Sequence, residues 1–253
     1  MSNLINSKTE QGRSKALKEA LKEALILSFL LEEGYSTAKI LAPLLKMTPN
    51  GVQRILRKME AKELIQTHTV EFELSSWNLK IWGLTPTGML LATPEDEKFK
   101  FFEVSRVKPI TMAHSLALQR VKVFAISQGW DEWKSSSKML QSANLSRSTW
   151  LQVPDAVATS PKGRKIAIEL ERTVKTPKRY VEILANYAEM LSSGIIAEVI
   201  YICPENIAKR LERLFHRIEK IIFRGKAIPV PEGLLKRFYF VTYDEWEVKS
   251  KDF

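Results

Sequence analysis

Apolar residues in the first sixty positions recur three times with helical spacing. Leu17, Ala20, Leu21, Ala24, Leu27 and Leu31 fall three or four residues apart, with Lys15, Lys18, Glu19 and Lys22 between them. That spacing predicts an amphipathic helix over Ser14–Glu33, ended by Gly34. Ser36 is the expected cap of a second helix, with Ile40, Leu41, Leu44 and Leu45 inward and a stop near Met47. Thr48 caps a third, with Pro49 at its first position, where a missing N–H does no harm, and Val52, Ile55, Leu56 and Met59 as its core face. The period then falls to two. Glu63–Leu74 alternates, Ser75, Ser76 and Asn78 supply a turn, and Leu79–Leu84 returns as a second strand of a two-stranded wing.

Helix, helix, helix, wing is the order of a winged helix-turn-helix. The segment Trp82-Gly83-Leu84-Thr85-Pro86-Thr87-Gly88 resembles the end of many winged-helix domains, where the last strand enters a terminal helix through a Leu-Thr-Pro-x-Gly turn. The outer face of the third helix carries Asn50, Gln53, Arg54, Arg57 and Lys58, side chains that reach base edges and phosphates if this helix enters a major groove. The expected organisation is a loose tail over residues 1–12, a winged-helix DNA-binding domain over 13–97 that ends in the charged break Pro94–Glu97, a linker over 98–109, and a second domain over 110–253.

The second half alternates helix and strand. Thr111–Gln128 reads as a helix that buries Leu116, Leu118, Val121, Val123, Phe124 and Ile126 and carries His114. Trp130–Leu140 reads as weakly extended and Gln141–Trp150 as a polar loop. Val153–Ala158 and Lys165–Glu171 are strands joined by the turn residues Ser160-Pro161-Lys162-Gly163. Pro177 opens a helix to Leu191 with Tyr180, Ile183, Leu184 and Tyr187 on one side, and Ile195–Cys203 is apolar enough for a strand buried on both faces. A helix over Glu205–Phe223 would gather Arg210, Arg213, Arg217 and Lys220 in one sector as a phosphate clamp, and Phe238–Tyr243 adds a last strand. The fold class expected is α+β, a winged helix followed by a domain with a mixed sheet.

Charge sharpens this picture. The net charge is +10, and residues 1–100 hold 14 Lys/Arg against 12 Asp/Glu, so most of the excess lies in the second half. A cationic surface of this kind favours polyanionic partners through counterion release. No apolar run approaches the roughly 18 residues that cross a bilayer, so the expected location is cytoplasmic without membrane insertion. The single cysteine, Cys203, sits in an apolar stretch and reads as a buried filler, which excludes an internal disulfide.

The chemistry-bearing pattern is acidic. In a strand alternate side chains share a face, so Glu169 and Glu171 point one way and Ile168 and Leu170 the other. Two neighbouring carboxylates on a buried face repel each other and lose hydration unless a cation joins them. The hairpin brings Asp155 into range as a third oxygen ligand. Asp155, Glu169 and Glu171 are therefore the candidate ligands of Mg²⁺ or Mn²⁺, an ion able to polarise a phosphodiester and activate water.

The succession from Thr111 to Cys203, with Pro154-Asp155 on one strand and Glu169-Leu170-Glu171 on the next, resembles the PD-(D/E)XK nuclease core. Glu171 stands where that superfamily has lysine, so a cation from the next helix, Lys175 or Lys178, has to replace it, and Lys178 is taken as the candidate catalytic cation. Over nearly its whole length the chain resembles MobC-type relaxases of mobilisable plasmids and the related replication-relaxation proteins. His114-Ser115-Leu116-Ala117, Pro154-Asp155-Ala156, Ile168-Glu169-Leu170-Glu171-Arg172 and Tyr187 carry that likeness. The resemblance implies site-specific nicking at a plasmid transfer origin, with double-stranded and nicked plasmid DNA, accessory mobilisation proteins and coupling proteins as partners, and a homodimer as one option. Only His68, His114 and His216 are present, far apart in the chain, which argues against a tyrosine nucleophile beside a histidine-held metal. Two alternatives remain open: a non-catalytic DNA-binding regulator or plasmid replication protein with a degenerate core, and a restriction-type endonuclease that cuts both strands.

Overall fold

The computed structural model describes residues 2–71, 78–94, 102–103, 107, 109–143 and 150–253. The last three residues of the expected first wing strand and the Ser75-Ser76 turn, most of the 98–109 linker, and much of the expected polar loop lie outside them. Two compact units are present, Met1–Gln119 and Arg120–Phe253. The division falls inside a helix rather than in the expected linker.

In the first unit α1 (Ser2–Glu33) runs through the segment expected to be a loose tail and ends as expected at Gly34, whose φ of 79° is a left-handed turn that favours glycine. Ile26, Phe29 and Leu30 of α1 are buried. After β1 (Tyr35–Ser36), the cap of α2 (Ala38–Leu44) is Thr37 rather than Ser36. Its hydroxyl accepts the Ile40 N–H at 3.2 Å, while Ser36 is occupied in the strand. Thr48 caps α3 (Pro49–Ala61), accepting the Gly51 N–H at 3.2 Å, and the four expected core residues of α3 are all buried.

β2 (Ile65–Val70) and β3 (Leu79–Leu84) pair antiparallel, Ile65 opposite Leu84 and Val70 opposite Leu79, and β1 adds to the other side of β3. The expected two-stranded wing is thus part of a three-stranded sheet. α4 (Pro86–Ala92) follows Thr85, whose hydroxyl accepts the Gly88 N–H at 3.0 Å and donates to the Glu63 carbonyl at 2.5 Å. A Cβ on Gly88 would stand 1.8 Å from the Leu64 carbonyl oxygen, so only glycine lets the turn seat against the end of α3 and the start of β2.

α5 (Pro109–Ser127) crosses from one unit to the other. Val121, Val123 and Ala125 are buried, but Ile126, expected inside, is 41% exposed. The second unit is built on a five-stranded mixed sheet in the order β10-β7-β6-β5-β4, with β4 (Asp131–Ser135), β5 (Ala156–Thr159), β6 (Lys165–Leu170), β7 (Glu198–Cys203) and β10 (Phe238–Thr242). β6, β7 and β10 are parallel, and β4 and β5 are antiparallel additions. The residues read as extended up to Leu140 in fact turn into α6 (Ser136–Ala143) after β4.

α7 (Pro177–Ser192) covers one face of the sheet. Its Tyr180, Ile183, Leu184 and Tyr187 share a core with Ala167, Val199, Tyr201 and Cys203, and every residue of β7 is buried, as its apolar run predicted. α8 (Glu205–His216) is shorter than expected. The chain leaves it at Arg217 and forms the hairpin β8 (Lys220–Phe223) and β9 (Lys226–Pro229), turned at Arg224 and Gly225, both with positive φ. α9 (Tyr243–Lys249) closes the unit, its first turn fixed by a reciprocal Thr242–Glu245 capping box. No helix among the described residues is long and apolar enough to cross a membrane.

Candidate functional site

The antiparallel register of β5 and β6 pairs Ala156 with Ile168, so one step further Asp155 stands opposite Glu169. The Asp155 carboxylate ends the ladder there: its Oδ2 accepts the Leu170 N–H at 2.8 Å, in the place where another strand residue would have offered a carbonyl. On the other side of β6, Glu169 is level with Tyr201 of β7. Glu169 lies on the face covered by α7, and the Tyr187 hydroxyl donates to its Oε1 at 2.5 Å while Gln152 Nε2 donates at 3.4 Å.

Burial and the nearby charge of Asp155 push the Glu169 carboxyl up to about 7, against the opposing pull of the Tyr187 hydrogen bond and the Lys175 charge. The Tyr201 hydroxyl has no hydrogen-bond partner among the described residues although it is buried, an arrangement that costs about 1–3 kcal/mol. It feels the Glu169 charge, which with burial raises its proton affinity well above that of a free tyrosine.

Glu171 is handled differently. It shares the α7 face with Glu169, as alternation predicts, but its Oε2 forms an ion pair with Lys175 and accepts the Tyr180 hydroxyl at 3.0 Å. Tyr180 in turn accepts the Lys175 backbone N–H at 3.0 Å. Glu171 is therefore paired with a protein cation, and among the described residues no three His, Cys, Asp or Glu side chains are grouped to hold a metal ion. Asp155 and Glu169 form the pair that remains. Two carboxylates fit what Mg²⁺ or Mn²⁺ asks of a protein that lets phosphate and water fill the other positions.

Of the two candidate cations, Lys178 is exposed on the first turn of α7, and Lys175, also exposed, pairs with Glu171 and has a charge that reaches Glu169. Tyr180 and Tyr187 are wholly buried, with proton affinities raised by burial and by the glutamates they serve, so neither is poised as a nucleophile. Cys203 is buried and pushed up to about 12, an inert filler. The roles of Gln152, Tyr180 and Tyr201 were not legible in the sequence, because strand and helix meet only in the folded sheet.

On α3, Asn50, Arg54 and Arg57 are exposed and Gln53 is half-buried, so a polar face is presented as expected. Lys58, also exposed, pairs with Glu19 of α1 at 2.5 Å, and Lys62 pairs with Glu23 in the same way at 2.7 Å. Arg210 and Arg213 are exposed on α8 and Arg217 at its C-cap, but Lys220 belongs to β8, not to the helix.

No curated protein matches the chain in sequence. Among solved structures, ZitR of Lactococcus lactis in apo form is 27% identical over 36% of this chain and 66% of that chain, with a TM-score of 0.25, so less than two thirds of that protein is spanned. PadR of Bacillus subtilis in complex with operator DNA is 18% identical over 51% of this chain and 78% of that chain, with a TM-score of 0.25. PigF with SAH is 11% identical over 94% of this chain and 65% of that chain, with a TM-score of 0.21. The replication-relaxation family model matches residues 27–200, a stretch that includes α3 and both carboxylate-bearing strands. With more than half of its length matched in this way, the chain belongs to the replication-relaxation family.

Proposed function

We propose that this protein is a relaxase-type DNA-nicking endonuclease of PD-(D/E)XK and MobC character, acting in the cytoplasm on plasmid DNA at a transfer origin. The observation that carries this reading is the meeting of Asp155 and Glu169 at the end of β6, where the register places them opposite each other and burial, together with the charge of Asp155, makes Glu169 hold a proton to about pH 7. Such a pair gains from a cation in its midst. Asp155 and Glu169 would hold Mg²⁺ or Mn²⁺, which when bound supplies electrophilic stabilisation of charge on a phosphodiester.

The protein side chains supply the rest. Tyr187 and Gln152 hold Glu169 in one orientation. Lys175 takes the part of the superfamily lysine from a different chain position, contributing positive charge where negative charge builds on the phosphate. Asn50, Gln53, Arg54 and Arg57 on α3 read and grip duplex DNA. Accessory mobilisation and coupling proteins are the partners this reading implies.

The test is nicking of supercoiled plasmid with and without Mg²⁺ or Mn²⁺, using the wild type, Asp155→Asn and Glu169→Gln. Metal-dependent open circles from the wild type alone support the reading, while linear product would indicate double-strand cutting. A second reading, a DNA-binding regulator with a degenerate core, is favoured by the lack of a three-ligand group among the described residues. It predicts specific duplex binding with intact plasmid in every condition.

A further inference from the structure

The start of α7 and the outer side of α8 bound an open groove of about 680 Å³. Its cations are Arg210, Arg213, Arg217 and Lys220, and Glu219 is its single acid. The arginines recur at three- and four-residue steps, so the row extends for about 10 Å along the helix axis. One of the five donors of Arg213 is spent on the Lys209 carbonyl at 3.1 Å, which steadies that guanidinium and leaves the others for a ligand. Pro177, Val181, Leu214 and Ile218 add an apolar surface between the cations.

Charge alone would suit any DNA, but the apolar surface discriminates. The outside of a duplex offers phosphate and sugar while its bases stay stacked within. A single strand offers phosphates to the arginines and unstacked base faces to the aliphatic side chains at the same time. The groove also starts at Pro177, two residues after Lys175, whose ammonium pairs with Glu171 and whose charge reaches Glu169. We infer that this groove binds single-stranded DNA, and that it holds the strand released next to the Asp155–Glu169 site. The role in holding a released strand rests on the nicking reading, whereas the binding itself does not.

The lining contains no aromatic ring, so affinity rests mainly on charge and is steeply dependent on salt. The test uses the full chain and a labelled oligothymidine of about 15 nucleotides, a length within the range a single-strand site covers, against a duplex of equal length. Arg213→Ala/Arg217→Ala is expected to weaken oligothymidine binding about 10- to 100-fold and to lower the slope of log affinity against log salt by about 1.4, two phosphates at about 0.7 each. Duplex binding should change less than about 3-fold in that variant, and Arg54→Ala/Arg57→Ala on α3 should show the reverse preference. Arg213→Lys/Arg217→Lys, which keeps the charge, should recover most of the single-strand affinity. An unchanged oligothymidine affinity, or equal losses for single strand and duplex, overturns the inference. Nicking of supercoiled plasmid by the wild type, measured beside this titration, separates the two claims: a wild type that binds oligothymidine through Arg213 and Arg217 but never nicks in Mg²⁺ or Mn²⁺ retains the groove and removes the nuclease.

Discussion

Glu169 and Glu171 lie two residues apart on one face of the sheet, yet the fold treats them in opposite ways. Around Glu171 there is a cation: Lys175 closes an ion pair and Tyr180 donates to the same oxygen. Around Glu169 there is another acid, Asp155, and the donors that touch it among the described residues, Tyr187 and Gln152, are neutral. One carboxylate is paired within the protein, and the other holds its proton to about pH 7. A Glu-x-Glu motif is thus two unequal sites, and the difference comes from Asp155, fourteen positions before Glu169, and Lys175, four positions after Glu171.

The sharpest way to break this contrast is at the acids. Glu169→Gln and Asp155→Asn are expected to lower metal-dependent nicking by about 1000-fold or more with duplex affinity unchanged, read as open-circle formation and gel shift. Lys175→Ala should lower nicking by about 100-fold. It should also cost about 1–2 kcal/mol of stability in denaturant melts, a figure discounted because the lysine is half exposed while Glu171 is not. Lys178→Ala should do neither. If Lys178 rather than Lys175 proves essential, the assignment of the cation is reversed.

The pH dependence has a definite sign. The Glu169 carboxyl rises in the folded state from 4.5 to about 7. Its contribution to stability is therefore fully present below about 4.5, and is lost as pH rises through about 7. Relative to Glu169→Gln, the wild type should lose a few kcal/mol at most between pH 4.5 and 8, measured by melting each protein across that window. Millimolar Mg²⁺ should restore about 1–3 kcal/mol to the wild type at pH 8 and little to the variant. Equal responses of both proteins would mean that Glu169 does not bind the ion.

Tyr187→Phe removes the donor at Glu169 and should cost about 1–3 kcal/mol, with the acid holding its proton to a still higher pH. The smallest effect is expected at Lys58. Its pair with Glu19 is exposed and screened by solvent, so Lys58→Ala should leave the melting temperature and duplex binding nearly unchanged.

Much of the first unit was legible because its signals are local. Thr48-Pro49 marks the start of α3, the change from helical to alternating period marks β2, and Thr-Pro-x-Gly marks the seat of α4. The strand pair around Asp155 and Glu169 was legible for the same reason, a turn flanked by alternation. What escaped depends on contacts between distant segments. The partner of Lys58 is Glu19 of α1, thirty-nine residues away. The helix read through to Phe223 continued a basic period past His216, but Ile221 is buried through the β8–β9 hairpin, which returns the chain at Arg224-Gly225. Lys175 was hard to choose over Lys178 because the segment after β6 has no periodicity to orient it.

The hydrogen bond from the Leu170 amide to Asp155 binds chemistry to architecture. A drifting sequence that discarded this aspartate would fray the very strand that carries its partner acid, so catalytic decay and loosening of the sheet would advance together. Asparagine alone among simple replacements keeps an acceptor in place, and descendants that have retired from cutting while keeping a firm scaffold should carry it there.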